Sequence, residues 1–312
     1  MTPVLGGLAW LGVRARWFLA LGLVAALLVP GPGTLLEGTL PFWVALLTGL
    51  AMVRIDLSAI IGQALRPGRL LRNAALLTLL MAVTPAVLAT LVRIAGLPEN
   101  MVSVLVYTAS APPLGSATAF CLILGLNAAF ALELTVLGSL IAPFTMPLVS
   151  RWLLGEAVPI EALEMLTRLA VIIGSAAIGA VIVRRLVGSA WIERQKLAFD
   201  GLSAICMVLF LFPLFLGLTD QILQAGMFAA SIFALACAAN LGTQILSFWP
   251  NRAIAGRETG GAMSLVWGNR NAALALASVP GDPVLLLYVA LYQFPMYCTP
   301  LVMRWVVGPP RH

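Results

Sequence analysis

The sequence predicts an all-α polytopic membrane protein with ten transmembrane helices in two inverted five-helix repeats, and three observations carry that prediction. Of the 312 residues, 61% are hydrophobic and 10% charged, where a soluble domain carries about 25% charged residues. The second observation is an internal repeat. Residues 115–155 and 268–308, superposed at an offset of 153 without a gap, agree at 11 of 41 positions and finish in Pro147-Leu148-Val149-Ser150-Arg151-Trp152 over Pro300-Leu301-Val302-Met303-Arg304-Trp305. The third is a polar interruption of the helical pattern where each copy begins: Ala111-Pro112-Pro113-Leu114-Gly115-Ser116 in one, Trp267-Gly268-Asn269-Arg270-Asn271 in the other. Interrupted hydrophobic segments in matching places of two halves point to a transporter's substrate site.

A spanning helix needs about 20 apolar residues, and ten segments meet that need: 16–32, 39–54, 71–94, 100–125, 127–152, 162–184, 198–219, 222–248, 261–280 and 283–307. In the first, Arg14 and Arg16 ahead of Trp17 imitate a secretory signal, but no small-x-small cleavage site is well placed after the apolar run, a first helix is needed to complete the repeat, and the segment reads as a retained helix. The repeat offset drops 71–94 onto 224–247, within the eighth segment. Residues 1–157 therefore form the first repeat and 158–312 the second. Five helices per half is an odd number, so the second half enters the membrane from the opposite side. The polar stretch from Arg184 to Asp200 joins helices 6 and 7 and is expected to include a short surface helix.

Charge tests this topology independently. With the N-terminus cytoplasmic, the cytoplasmic segments hold Arg14, Arg16, Arg54, Arg66, Arg69, Arg72, Arg184, Arg185, Arg194, Lys196, Arg252, Arg257, Arg304 and Arg311, which leaves only Arg93, Arg151 and Arg168 outside and Arg270 in the membrane. Such a bias places both termini inside. Glu37, Glu99, Glu156, Glu161, Glu164, Asp220 and Asp282 fall on the outer side. A net charge of +6 distributed in this way is topological and does not point to nucleic acid. Cys121, Cys206, Cys237 and Cys298 sit singly in apolar segments and read as reduced core residues. The one histidine is His312, so histidine catalysis, zinc or another cofactor has almost nothing to work with.

Pro112 and Pro113 remove two backbone donors and Gly115 permits conformations closed to other residues, so helix 4 should unwind there. An unpaired backbone group in hydrocarbon is costly and is tolerated only where protein or a cavity surrounds it. The half-helix beyond the break should start near Ser116, whose hydroxyl suits an N-cap, with its positive end offered to an anion. The second break places Asn269, Arg270 and Asn271 between two apolar runs. An arginine at that depth costs at least about 2.5 kcal/mol and must face a partner or water. It can pin two unwound backbones together, which does not exclude substrate contact, and it can pair bidentately with a substrate carboxylate. Pro113, Gly115, Ser116, Thr118, Asn269, Arg270 and Asn271 are thus the candidate substrate-binding residues. Glu133, the one acid well inside a predicted helix, has three roles open to it: pairing with Arg270, carrying a proton, or reaching to the interface. Thr135 lies two residues along the helix and points away from it. Glu133, Thr135 and Arg270 are the candidate coupling or ion-site residues.

The residues Pro112-Pro113-Leu114-Gly115-Ser116-Ala117, Gly125, Thr135, Ala142-Pro143 and Gly268-Asn269-Arg270-Asn271-Ala272-Ala273-Leu274-Ala275 resemble the bacterial branch of the bile acid:sodium symporter family. The resemblance implies that helices 4 and 9 are broken and cross near the midplane. It also implies a core domain of helices 3–5 and 8–10, a panel domain of helices 1, 2, 6 and 7, and carriage of organic anions, usually with sodium. Members that bind sodium show Ser-Asn after the first break, a Ser or Thr pair in helix 5, and Glu-x-Gly-x-Gln-Asn at the second break. The matching positions here read Ser116-Ala117, Ala131 with Thr135, and Val266-Trp267-Gly268-Asn269-Arg270-Asn271. Glu258-Thr259-Gly260 imitates the acidic motif, but Ala262 and Met263 then stand where Gln-Asn belongs.

A lost carboxylate and an arriving guanidinium form one physical substitution, because a fixed cation fills sodium's role and repels sodium. The expected function is a secondary transporter of a small organic anion in the bacterial cytoplasmic (inner) membrane, with sodium coupling weakened or lost. A sodium symporter with rearranged ligands is the alternative, and a structural or receptor-like membrane protein the alternative of another class.

Overall fold

The structure, a computed structural model, describes residues 3–29, 31–155 and 161–308. Glu156, the repeat junction at 157–158, Arg311 and His312 lie outside them.

The described residues are helical almost throughout. In chain order they form α1 (Pro3–Val13), α2 (Ala15–Leu28), α3 (Gly31–Leu35), α4 (Leu40–Val53), α5 (Leu57–Ala64) and α6 (Pro67–Thr78). A π-helical turn at Leu79–Val83 leads into α7 (Thr84–Ile94), followed by α8 (Glu99–Ser110), α9 (Ser116–Ile123), α10 (Ala128–Leu154), α11 (Ala162–Val187), α12 (Ser189–Arg194), α13 (Lys196–Leu214), α14 (Leu218–Ala225) and α15 (Met227–Cys237). A second π-helical turn, Ala238–Gly242, precedes α16 (Thr243–Gly268), α17 (Ala272–Ser278) and α18 (Pro283–Val307). Among the described residues six helices are long and apolar enough to cross a membrane, or up to eight spans if each of two bent pairs counts as one. The chain is therefore a multi-pass membrane protein in contact with a lipid bilayer.

The ten sequence segments and these spans differ for local reasons. Segment 100–125 is divided into α8 and α9, each too short to span alone. Segments 222–248 and 261–280 are separate as expected: the helical run from Met227 to Gly268 is interrupted at Gly256 (φ 74°, ψ 179°), a conformation open to glycine, and the chain folds back there, so that Asn251 donates to the Ser264 hydroxyl (3.1 Å). The first segment misses α1 altogether. The short helix expected between Arg184 and Asp200 is α12.

The chain divides into two compact units. One comprises Met1–Leu57 and Leu169–Gly226 and is built on α13, against which α1, α2, α3, α4 and α12 pack. Small residues permit this. A Cβ at Gly12 would overlap the carbonyl oxygen of Leu197, and one at Gly201 that of Leu8, so α1 and α13 touch backbone to backbone. Close approach through small residues is how helices associate where lipid removes the hydrophobic drive.

The other unit comprises Ser58–Arg168 and Met227–His312 and holds both sequence breaks. In it α10 packs on α8, α9 and α16, and α18 packs on α8, α9, α15, α16 and α17. The turn between α7 and α8 is closed by Arg93, which donates to both Glu99 carboxylate oxygens (3.0 and 3.1 Å) and to the Leu153 carbonyl. The hydrogen bond from Arg93 holds the Glu99 carboxyl below its ordinary range.

The α1–α13 contact yields a direct test. Gly201→Leu is expected to lower the thermal unfolding midpoint of the purified protein, at a cost of about 1–3 kcal/mol for overpacking. Gly6→Ala, which meets open space, should not lower it, since alanine favours a helix interior over glycine.

Candidate functional site

The two interruptions found in the sequence meet. Helix α8 ends at Ser110, and Ala111 takes an extended conformation (φ −63°, ψ 151°). Helix α16 ends at Gly268, with Asn269 likewise extended (φ −88°, ψ 90°). The unwound strands pair antiparallel at Pro113 and Arg270, with the Leu114 N–H donating to the Asn269 carbonyl and the Asn271 N–H to that of Pro112, both at 2.9 Å. Two proline-poor donors and two carbonyls that unwinding would leave unpaired are thereby satisfied on each other, as a low-dielectric interior demands.

Arg270 locks this joint. It is 4% exposed. Its Nε donates to the Trp267 carbonyl (2.9 Å), one terminal nitrogen to Ala111 (3.3 Å) and the other to Leu80 (2.8 Å). Each acceptor has been freed for a reason. Trp267 loses its usual helical donor because the Asn271 N–H pairs across the joint. Ala111 sits where α8 unwinds. Leu80 lies in the first π-helical turn, where the Thr84 N–H bonds Leu79, and the next residue that could donate to Leu80 is Pro85, which has no N–H. Three orphaned carbonyl oxygens therefore converge on one guanidinium. Among the described residues no carboxylate pairs with Arg270.

The second π-helical turn serves the same joint from the other side. Asn240, fully buried within it, donates to the Gly268 carbonyl and the Tyr292 hydroxyl, both at 3.0 Å. The Tyr292 hydroxyl also accepts the Arg270 N–H (2.9 Å) and donates to Gly268. Gln244 donates to Asn240 Oδ1 (3.0 Å), and Thr299 to Asn269 Oδ1 (3.3 Å). Gly268 is required here, since a Cβ would overlap the Asn240 carbonyl oxygen. A void of about 10 Å³ between Arg270, Thr84, Thr108, Thr243 and Tyr288 has room for roughly one water. It cannot hold an organic ligand.

The sequence-predicted residues thus separate into two sets. Pro113, Asn269 and Arg270 are buried and used in the joint. Gly115 is exposed, and Ser116, Thr118 and Asn271 are half-buried along the edge where the half-helices α9 and α17 begin. Asn271 caps α17, its side chain accepting from the Leu274 N–H (3.2 Å). Ser116 departs from expectation: Gly115 is the N-cap of α9 and Ser116 its first helical residue, and the hydroxyls of Ser116 and Thr118 are shielded from solvent without a hydrogen-bond partner.

Glu133 takes none of its partners from the breaks. It accepts from Asn73 Nδ2 (2.7 Å) and from Arg72 (3.2 Å), with Arg69 3.9 Å away, tying α10 to α6. Pairing with Arg270, one of the three roles open from the sequence, is not what is formed. The Thr135 hydroxyl turns back to its own helix, donating to Ala131 (2.8 Å).

Sequence reasoning missed Leu80, Asn240, Gln244, Tyr292 and Thr299. Asn240 and Gln244 carried a usable signal, an i, i+4 polar pair within an apolar run. The Leu80 carbonyl carried none except Pro85 five residues on. No family model matches the chain, and no curated protein does.

Glu133→Gln is expected to lower stability by about 1 kcal/mol, discounted for the partly exposed arginines. Thr135→Ala, which removes only an intrahelical bond, should have a smaller effect in the same thermal unfolding assay.

Proposed function

We propose that the chain is a secondary transporter of a small organic anion, working by alternating access, in which Arg270 is a permanent internal cation in place of a bound sodium ion. The observation that carries this reading is the joint itself: two broken helices paired through their unwound backbones, with three carbonyl oxygens gathered on one guanidinium. Rings of backbone carbonyls are what a bare monovalent cation takes as ligands. A guanidinium among them supplies the same charge without an ion to bind or release.

The wider proposal follows the resemblance to the bile acid:sodium symporter family. Ten helices form two inverted five-helix repeats, with both termini cytoplasmic in the bacterial inner membrane. Helices 3–5 and 8–10 act as the core and helices 1, 2, 6 and 7 as the panel. The substrate anion meets the edge formed by Gly115, Ser116, Thr118 and Asn271. What supports this is the pair of shielded hydroxyls at Ser116 and Thr118 that lack partners, since buried polar groups in native proteins are otherwise satisfied.

Uptake of labelled monocarboxylates into proteoliposomes is expected to proceed equally in sodium and in choline medium, and strict sodium dependence would overturn the role given to Arg270. The complementary variant is Arg270→Gln, which leaves the three carbonyls short of a cation. Its thermal stability should rise with sodium concentration while that of the parent protein does not.

A further inference from the structure

A second polar site lies in the unit formed by Met1–Leu57 and Leu169–Gly226, far along the sequence from either break. An open surface cleft of about 380 Å³ is lined by Arg54, Asp56, Arg184, Ser189, Ile192 and Glu193. It is made where three helix ends meet: the C-terminus of α4 at Val53, the last turn of α11, and α12. Arg54 pairs with Asp200 (2.7 Å). Arg184 donates to the Val53 carbonyl (3.1 Å) and stands 3.9 Å from Asp56. These contacts use a minority of the donors on two guanidinium groups, and both groups are more than two-thirds buried. Glu193 is exposed at the rim and forms no ion pair among the described residues. Arg54, Arg184, Asp56 and Glu193 thus bring both signs of charge to one cavity, with Asp200 paired to Arg54 beside it.

The surface leading to this cavity is apolar. Arg184, Val181 and Ile178 form an i, i−3 ridge along α11, and Val181 and Ile178 are 37% and 63% exposed. On the far side of Arg184 the ridge continues to Val187, 39% exposed. A guanidinium pocket at the end of a lipid-facing apolar ridge matches a molecule that is charged at one end and hydrocarbon at the other. Basic pockets between helix ends on the positively biased side of a membrane bind phospholipid headgroups.

We propose that this cavity is a phospholipid site selective for a phosphatidylethanolamine headgroup. The phosphate sits between Arg54 and Arg184, the primary ammonium meets the carboxylate of Glu193 with Asp56 behind it, and an acyl chain lies along Val181 and Ile178. The acids provide the selectivity. A cavity serving only anionic lipid would gain nothing from Glu193 at its rim, whereas a zwitterion needs both signs.

The test is native mass spectrometry of the delipidated full-length protein titrated with phosphatidylethanolamine, phosphatidylglycerol and phosphatidylcholine of identical chains. Phosphatidylethanolamine is expected to bind at least about threefold more tightly than either, the size of one partly exposed ion pair. Glu193→Gln, an exposed substitution that should not alter the unfolding midpoint, should abolish that preference, and Arg184→Gln should weaken all three lipids. Equal binding of the three lipids, or a preference that survives Glu193→Gln, would overturn the assignment. Displacement of the lipid by soluble phosphoethanolamine at equal concentration would overturn the lipid as occupant.

Discussion

The unit that holds both helix breaks depends on one interaction, the bonding of the Arg270 guanidinium to the carbonyls of Leu80, Ala111 and Trp267. Burying an arginine inside a membrane protein costs several kcal/mol by itself. Hydrogen bonds to a charged group each return about 1.5–3 kcal/mol, so three of them can offset that cost. The carbonyls gain as much as the arginine does. Remove the side chain, and three acceptors in a low-dielectric interior lose their donor together.

Those acceptors become available through separate local causes that agree in space. Pro85 denies a donor to Leu80 and the π-helical turn diverts the Thr84 N–H to Leu79. The Pro112-Pro113 pair ends α8 and turns Ala111 outward from its helical bonding. The Asn271 N–H leaves Trp267 for Pro112. Each departure from regular helix would be a defect alone. Together they make a polar joint whose only charged member is the arginine, buttressed by Asn240, Tyr292 and Thr299.

What could be read in advance follows from the range over which each cause acts. Breaks, composition and helical character are local, so Pro112, Pro113, Gly115 and the polar run 269–271 are legible in the sequence, and the repeat offset of 153 sets Gly268 opposite Gly115. The end of α10 and the whole of α18 lay close to their expected limits. Partnership is not local. Glu133 finds Asn73 and Arg72 sixty residues away on α6, and no spacing rule connects them. The carbonyl of Leu80 is equally silent, because a backbone acceptor has no residue type to betray it. Helix α1 was overlooked because its glycines, Gly6, Gly7 and Gly12, weaken a helical pattern on paper, whereas in the fold Gly12 is what lets α1 reach α13.

Amide hydrogen exchange across the joint tests the central claim most directly. Leu114, Asn269, Arg270 and Asn271 lie in non-helical backbone, yet each N–H is bonded: to Asn269, Leu265, the Tyr292 hydroxyl and Pro112 respectively. If the two breaks are locked by Arg270, these amides should exchange as slowly as those of α10 in the parent protein and far faster in Arg270→Ala. Rapid exchange in the parent protein, or protection that survives loss of the arginine, would contradict the account.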